Sequence, residues 1–165
     1  MINRQRHLTL QAALSEFYAA YHDTLENNDL MGWVEFLAPD CLYKVTSREN
    51  VQHGWPLCFI QCENQDMAYD RAAALQDSIY FRQRAQQHMM SNLHITEVED
   101  CKSFIQVSVT SSFIVYESIN GQEATLLVTG TASDILIMSN ARTVFKQRIC
   151  TCTPDIMSGS IVYPL

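Results

Sequence analysis

The sequence predicts an α+β protein in which N-terminal helices pack against a strongly bent antiparallel or mixed sheet. Two observations lead to this prediction: apolar residues recur at helical spacing near the N-terminus, and three long runs rich in β-branched and aromatic residues fill the second half. A bent sheet wrapped around helices forms a cone, which either encloses a pocket or is packed shut. With 165 residues, 47% of them hydrophobic, the chain can build the core of one domain spanning residues 1–165.

Three helices are expected in the first half. The apolar positions of the first are Leu10, Leu14, Phe17, Tyr18, Tyr21 and Leu25. Their spacing gives this helix one apolar face, and it should end in the turn at 26–28. Asn28 or Asp29 can cap a second helix that stops before Pro39, because proline disfavours the helical conformation of the residue ahead of it. The alanine-rich run 66–77 predicts the third helix.

Extended segments account for much of the remaining chain. Residues 41–45 are typical of a short strand, and residues 56–62 could be extended. The long β-rich runs cover 104–116, 125–138 and 143–152, with turn signals at 119–122 and 138–141. In the first run apolar residues alternate with Ser, Thr and Gln, so one face should meet a core while the other is polar. These patterns predict strands joined by hairpin connections.

The charge balance disfavours several classes of function. The chain has 11 Lys and Arg against 18 Asp and Glu, a net charge of −7, which argues against a nucleic-acid or anionic-membrane surface. A protein partner or a small neutral or anionic ligand is favoured. No apolar run has the length of a signal peptide core or a membrane span, so the cytoplasm is the expected location. The six cysteines are expected to be free thiols.

The spacing of candidate ligands argues against metal or redox chemistry in this chain. A Rieske cluster needs Cys and His pairs in tight loops, and no cysteine is followed by a histidine at that spacing. His88 and His94 should lie on a loop entering a strand, on one face but about 20 Å apart, too far to share a metal. The sequence has neither a glycine-rich phosphate loop nor a hydrolase nucleophile elbow. We therefore predict no catalytic, cofactor-binding or metal-binding residue.

The segment 48–88 is the most informative part of the chain, and its composition favours a protein interface. Its aromatic, Met and Arg residues include Arg48, Trp55, Met67, Tyr69, Arg71, Tyr80, Phe81, Arg82 and Arg84. Residues of these types dominate interface hot spots. The alternative is that Trp55 and Tyr80 plug the mouth of the cone.

Two polar groups in this segment also have more than one interpretation. Asp70-Arg71 in the third helix could orient a carboxylate substrate, or could pair with solvent or with a partner chain. Arg48-Glu49-Asn50 could be part of an interface, or a turn in which Asn50 caps its own backbone.

A set of landmarks then spans nearly the whole sequence. It consists of Phe17-Tyr18, Trp33 with Phe36-Leu37 and Asp40, Arg48-Glu49-Asn50 with Gly54 and Pro56-Leu57, Asp70-Arg71, Ile79-Tyr80, His88, and the ending Ser160 to Leu165. With these landmarks the chain resembles the small, or β, subunit of aromatic-ring-hydroxylating Rieske dioxygenases. The Pro-Leu-Cys turn and the Tyr-Pro-Leu ending look most like the branch that includes salicylate 5-hydroxylase, anthranilate dioxygenase and terephthalate dioxygenase, whose substrates are aromatic carboxylates.

This resemblance implies a cone-shaped fold shared with nuclear-transport-factor-like and ketosteroid-isomerase-like proteins, and an α3β3 hexamer with a large α subunit. It implies that the Rieske 2Fe-2S cluster and the mononuclear non-haem iron belong to that large subunit, which receives electrons from a reductase or ferredoxin. The chain is thus predicted to be a non-catalytic structural subunit of an oxygenase in aromatic catabolism. The expected interface residues are Arg48, Glu49, Asn50, Trp55, Asp70, Arg71 and His88.

A competing hypothesis is a small isomerase or dehydratase with the same cone fold. Such an enzyme needs an acid and a base with shifted pKa values that converge inside the cone. The inward positions are expected to be apolar, which leaves Asp40, Tyr43 and His88 as the candidates.

Overall fold

The computed structural model describes residues 4–77, 84–157 and 159–165. Within these ranges the chain forms four helices and six strands. In chain order they are α1 (Arg4–Glu26), α2 (Leu30–Glu35), β1 (Leu37–Ser47), α3 (Arg48–His53), β2 (Ile60–Cys62), α4 (Gln65–Asp77), β3 (Arg84–Asp100), β4 (Ile105–Ile119), β5 (Thr125–Met138) and β6 (Thr143–Cys152). Most helical residues precede the long strands, and the predicted α+β class is confirmed.

The helices form where apolar spacing and a capping side chain predict them. The buried residues of α1 are Leu10, Leu14, Tyr18, Tyr21 and Leu25, which lie on a single face of the helix. Helix α2 begins after Asp29, whose Oδ1 accepts a hydrogen bond from the backbone N–H of Gly32 at 2.9 Å. Helix α4 covers the alanine-rich run, and Ala68 and Ala72 are fully buried, so their small side chains let its backbone approach the core closely.

The strands form one mixed sheet in the order β2-β1-β6-β5-β4-β3. Strands β1 and β6 pair in parallel, and all other neighbours are antiparallel. Strands β5 and β6 have the predicted boundaries, whereas β4 begins one residue after the predicted run 104–116 and ends three residues beyond it. Burial alternates along these strands, so one face of the sheet packs on the helices and the core lies between them.

Two glycines are required by the backbone at the β4–β5 hairpin and inside β5. In the hairpin, Asn120 and Gly121 have φ values of 52° and 71°, in the left-handed region that favours these residue types. In β5, a Cβ on Gly130 would lie 2.3 Å from the Thr151 carbonyl oxygen and 2.6 Å from Phe113 Cζ. Only glycine therefore fits at position 130 without moving the neighbouring strands.

None of the predicted β-rich runs covers β3, and the segment around His88 and His94 was expected to be a loop entering a strand. Among the described strands β3 pairs with β4 alone, and it carries many polar residues, so its alternation is weak in the sequence. The pairing register shifts between Ser91 and His94, and Asn92 has a φ of 54°. As a result the His88 side chain is buried while His94 is exposed, so the expectation that they share one face was wrong.

A short helix stands where a turn was one interpretation of the sequence. In α3 the Ser47 hydroxyl accepts the backbone N–H of Asn50 at 3.1 Å, so the cap is Ser47 and not Asn50 itself. Gly54, with a φ of 66°, ends the helix. Of the segment 56–62, only Ile60–Cys62 forms a strand. The predicted positions that lie outside the described residues are Ile79, Tyr80, Phe81 and Arg82.

Candidate functional site

A buried polar centre occupies the inside of the sheet, formed by Tyr18, Tyr21, Tyr43, Asp134 and Arg148. Arg148 is 2% exposed, and its Nη1 donates a hydrogen bond to Asp134 Oδ2 at 2.6 Å. The Tyr18 hydroxyl donates to the same carboxylate oxygen at 2.6 Å. A buried charge needs both a counter-ion and hydrogen bonds, and Asp134 Oδ2 has both.

The polar centre also anchors the last described residue. The Leu165 carbonyl oxygen accepts hydrogen bonds from the Tyr21 hydroxyl at 2.7 Å, the Tyr43 hydroxyl at 3.1 Å and Arg148 Nε at 3.2 Å. The Arg148 guanidinium carbon lies 4.9 Å from the centroid of the Tyr21 ring, which adds a cation–π contact. The Tyr21 and Tyr43 hydroxyls and Arg148 Nε thus all bind a carbonyl group of the same chain.

Burial sets the protonation states in this centre. It raises the pKa of Tyr18 and Tyr21 well above the usual range, so both hydroxyls remain donors. Burial also raises the pKa of Asp134, while the facing Arg148 and the Tyr18 hydroxyl oppose that rise. Burial alone would lower the pKa of Arg148, but the Asp134 carboxylate keeps it above its ordinary value. Asp134 and Arg148 therefore form a coupled ion pair.

Two stacked histidines lie beside the polar centre. The rings of His22 on α1 and His88 on β3 are 5.4 Å apart between centroids and nearly parallel, at 7°. Burial lowers the pKa of His22 to about 3 and that of His88 to about 4, and the Arg148 charge adds to both shifts. Both rings are therefore neutral near pH 7. Glu26 accepts the backbone N–H of His88 at 2.7 Å, which ties the edge strand to α1.

The candidate acid–base residues of the isomerase hypothesis do not converge. Asp40 is exposed and pairs with Lys146, Tyr43 belongs to the polar centre, and His88 stacks on His22. The expectation of an apolar interior was wrong, because Asp134 and Arg148 point inward. The sequence positions of Asp134 and Arg148 could have indicated that they point inward. Each falls on the same alternation as the buried residues of its own strand, β5 or β6.

Five surface cavities in the described part of the chain lie away from the polar centre. Five cavities of about 330 to 590 Å³ are each lined by other residues than the five that form this centre. The cavity of about 590 Å³ lies between α1 and the β3–β4 and β5–β6 turns, with Leu10, Phe104 and Met138 among its lining residues. Among the described residues, the polar centre is filled by side chains of this chain, and none of these five cavities opens onto it.

An ordered apolar segment is exposed at the surface, and we call residues 51–59 the Trp55 segment. Trp55 is 47% exposed and Leu57 is 61% exposed, and Val51 and Phe59 are exposed as well. The Trp55 ring stacks on His53 at 4.5 Å between centroids, and about half of its surface is exposed. Thr46 Oγ1 and Asn50 Nδ2 both donate to the Leu57 carbonyl oxygen, at 2.7 and 3.0 Å. These bonds hold the segment in one conformation while its apolar side chains face outward.

The other predicted interface residues divide into surface and internal groups. Arg48, Glu49 and Asp70 are exposed. Arg71 is partly buried, and its Nη2 donates to the Val162 carbonyl oxygen of its own chain at 2.8 Å. Asn50 donates a hydrogen bond to the Trp55 segment, and the His88 side chain is buried.

The described residues offer neither a grouped metal site nor a membrane-spanning helix. Among residues 4–77, 84–157 and 159–165, no three His, Cys, Asp or Glu side chains are grouped so that they could hold a metal ion. No helix within those ranges is both long and apolar enough to cross a membrane. In the same ranges all six cysteines are free, as expected.

Comparison with known proteins shows which class of proteins this chain is similar to. No family model matches the chain. It is 26% identical over 117 residues to the small subunit of anthranilate 1,2-dioxygenase from Burkholderia cepacia, which covers 71% of this chain and 70% of that subunit. It is 23% identical over 152 residues to beta subunit 1 of the terminal oxygenase component of terephthalate 1,2-dioxygenase from a Comamonas species, covering 92% and 96%.

Solved structures support the same class. The beta subunit of a protein from Novosphingobium aromaticivorans, assigned as an aromatic-ring-hydroxylating dioxygenase, has a TM-score of 0.84 and 28% identity, covering 96% of this chain and 99% of that one. A protein from the same organism assigned as a scytalone dehydratase shares the fold, with a TM-score of 0.70 at 15% identity over 96% of this chain and 95% of that one.

The chain therefore has a cone-shaped α+β fold, which it shares with solved structures of a dioxygenase beta subunit and of a protein assigned as a dehydratase. Within that class, the chain is similar to the small subunits of aromatic-ring-hydroxylating dioxygenases, and the resemblance found in the sequence is confirmed. The main functional prediction, a small subunit of such an oxidoreductase, is favoured over the isomerase or dehydratase alternative.

Proposed function

We propose that this chain is the non-catalytic small subunit of an oxygenase that hydroxylates an aromatic, carboxylated compound. The observation that carries the proposal is similarity to dioxygenase small subunits along 92 to 96% of the chain, at 23 to 28% identity. The relatives named for anthranilate and terephthalate support an aromatic carboxylate as the substrate of the assembly. The filled polar centre supports a structural role for this chain.

The partner in this proposal is a large subunit that carries the Rieske 2Fe-2S cluster and the mononuclear iron. We expect an α3β3 hexamer in the cytoplasm, with electrons passing to the large subunit from a reductase or ferredoxin. A partner that binds only the folded small subunit also raises its apparent stability through mass action.

The Trp55 segment is the part of the described surface that best suits the large subunit. Interface centres favour aromatic side chains, and Trp55 is an exposed aromatic residue in a segment that two hydrogen bonds to the Leu57 carbonyl oxygen tie to the rest of the chain. Arg48, Glu49 and Asp70 are available as a polar rim. Asn50 would act from behind this contact, because its amide donates a hydrogen bond to the Leu57 carbonyl oxygen. Arg71 and His88 would act through other parts of the chain, Arg71 by holding Val162 and His88 from β3 at the opposite edge of the sheet.

Replacing Trp55 tests this proposal. Trp55→Ala should weaken binding of the large subunit by tenfold or more, because truncating an interface tryptophan costs about 2 kcal/mol or more. The thermal midpoint of the isolated chain should stay within a few degrees of wild type, since the ring is half exposed. Affinity is measured by titrating the tagged small subunit against the purified large subunit.

Ile156→Ala is the matched control, because Ile156 is exposed and lies outside the Trp55 segment. It should leave the affinity unchanged. A Trp55→Ala variant that unfolds at lower temperature but binds the large subunit as tightly as wild type would show that Trp55 stabilises the cone instead of the assembly.

A further inference from the structure

Arg71 on α4 is a partly buried arginine that lacks a carboxylate partner among the described residues. Arg6, Arg84 and Arg148 are also partly or fully buried, and each of them pairs with a carboxylate of this chain. Arg71 belongs to none of the ion pairs in the described part of the chain. All 18 Asp and Glu residues of the sequence lie within the described ranges, so the chain has no further side-chain carboxylate to offer.

The one recorded hydrogen bond of Arg71 leaves its positive charge without a counter-ion. Nη2 donates to the Val162 carbonyl oxygen at 2.8 Å, but a carbonyl group is neutral. Nε is buried without a partner among the described residues. Nη1 is neither bonded nor buried within the same ranges, so a ligand can reach it. A cation that is partly shielded from water is stabilised by an anion that also accepts its hydrogen bonds.

The Arg71 side chain lines a surface groove with apolar walls, which we call the Arg71 groove. Its volume is about 360 Å³, and its described lining residues are Arg71, Ala74, Leu75, Ile161 and Val162. Ala74 and Leu75 follow Arg71 by three and four positions on α4, so these three residues share one face of the helix. The other wall is formed by Ile161 and Val162, and the hydrogen bond from Arg71 to Val162 joins the two walls. Arg71 is the single charged residue among these five.

Charge and shape together select a class of ligand. One guanidinium neutralises one negative charge, and the net charge of −7 opposes a second negative charge at the same place. A monocarboxylate therefore suits Arg71 better than a doubly charged phosphate, and its two oxygens match the planar guanidinium. The four apolar lining residues favour an apolar body beside that carboxylate. The volume of the groove is near the lower end of the range of ligand pockets, about 300 to 1,000 Å³, which suits a ligand with a single ring.

We propose that the Arg71 groove binds a small apolar monocarboxylate, whose carboxylate pairs with the Arg71 guanidinium while its apolar body packs between α4 and residues 161–162. The groove shares no residue with the Trp55 segment or with the polar centre. The site goes beyond the proposed function and does not rest on it, because the isolated chain should bind the ligand without any large subunit.

Titration of the isotope-labelled wild-type chain with benzoate, followed by NMR spectroscopy, tests the proposal. Benzoate should bind saturably with a dissociation constant of about 1 mM or lower, since a small ligand in an open groove makes few contacts. The amide signals of Leu75 and Val162 should shift. Benzamide has nearly the same shape without the charge, and it should bind about tenfold more weakly or less tightly still.

Replacing the guanidinium tests the role of Arg71 itself. Arg71→Gln should raise the dissociation constant for benzoate about tenfold or more, because glutamine keeps a donor but loses the charge. Arg142→Gln makes the same change at an exposed arginine outside the groove and should leave benzoate binding unchanged. Circular dichroism checks that each variant is folded.

A second variant keeps the test decisive if Arg71→Gln does not fold. Ala74→Glu changes an exposed position of α4 and retains Arg71. The new carboxylate lies three residues after Arg71, within reach of the guanidinium, so it competes with benzoate and should weaken benzoate binding about tenfold. Ala19→Glu makes the same change at an exposed position of α1 and should have no effect on benzoate binding.

Several results would overturn the proposal. These are a wild-type chain that does not bind benzoate, equal affinities for benzoate and benzamide, and folded Arg71→Gln or Ala74→Glu variants that bind benzoate like wild type. If benzoate does not bind and Arg71→Gln weakens binding of the large subunit, the occupant of the groove belongs to the large subunit and the proposed small ligand is wrong.

The two proposals can fail separately. A chain that binds benzoate through Arg71 but never binds a large subunit would refute the proposed function and support the ligand site. A chain that binds the large subunit but shows no saturable binding of benzoate would do the reverse.

Discussion

Replacing Arg148 by methionine should destabilise the cone strongly. Methionine fills much of the arginine volume but leaves Asp134 fully buried without its counter-ion. Breaking a buried ion pair by removing one partner costs about 3–5 kcal/mol, a large part of the roughly 5–15 kcal/mol by which domains are stable. The variant also loses the hydrogen bond to Leu165 and the cation–π contact with Tyr21.

Urea denaturation followed by far-ultraviolet circular dichroism measures this loss. The double variant Asp134→Asn/Arg148→Met removes both charges and keeps an acceptor for the Tyr18 hydroxyl. It should be more stable than Arg148→Met alone, because no unpaired charge remains buried. Arg6→Ala is the control: Arg6 pairs with Asp100 on the surface, where solvent screens the pair, and the midpoint should not change.

Two results would refute the reasoning about the polar centre. One is an Arg148→Met variant within about 1 kcal/mol of wild type, since it would mean that Asp134 needs no counter-ion. The other is a double variant as unstable as the single one, because the loss would then come from packing and not from an isolated charge.

Further predictions concern acid stability and strand packing. Burial lowers the pKa of His22 to about 3 and that of His88 to about 4, whereas both groups have a pKa of 6.5 in the unfolded chain. As the pH falls below 6.5, the unfolded chain therefore binds more protons than the folded chain. Each histidine should therefore remove up to about 1.4 kcal/mol of stability per pH unit between 6.5 and its folded pKa, measured by urea midpoints across this window. His88→Gln should flatten this dependence, whereas His94→Gln, at an exposed position, should not. Gly130→Ala should cost about 1–3 kcal/mol through overpacking.

Opposite results would count against these two predictions. Equal pH profiles for wild type and His88→Gln would show that the stacked histidines do not govern acid stability. A Gly130→Ala protein that melts like wild type would show that the strands around position 130 can separate without cost.

The sequence is informative where local signals agree with tertiary packing. The boundaries of β5 and β6 were predicted because turn residues flank long β-branched runs, and Asp29 was predicted as a possible cap because its residue type suits that role. The exposure of Trp55 could be proposed from composition, since the loop around it offers little local structure to bury it.

Features that depend on distant residues could not be predicted in the same way. The Tyr18 hydroxyl binds Asp134, 116 residues away, and nothing local to either residue indicates this partner. Strand β3 is polar and pairs on one side, so its pattern is weak, and a register shift near Asn92 reverses the faces of its two histidines. The serines and threonines that lie side by side across β4, β5 and β6 can be recognised only once the strand register is known.

Co-expression of this chain with a large subunit encoded beside it tests the central claim most directly. The purified material would be analysed by native mass spectrometry and for iron content. The account predicts a complex with three copies of each chain and all iron bound to the large subunit. A chain that purifies alone, with the large subunit assembling and binding its iron without it, would contradict the account.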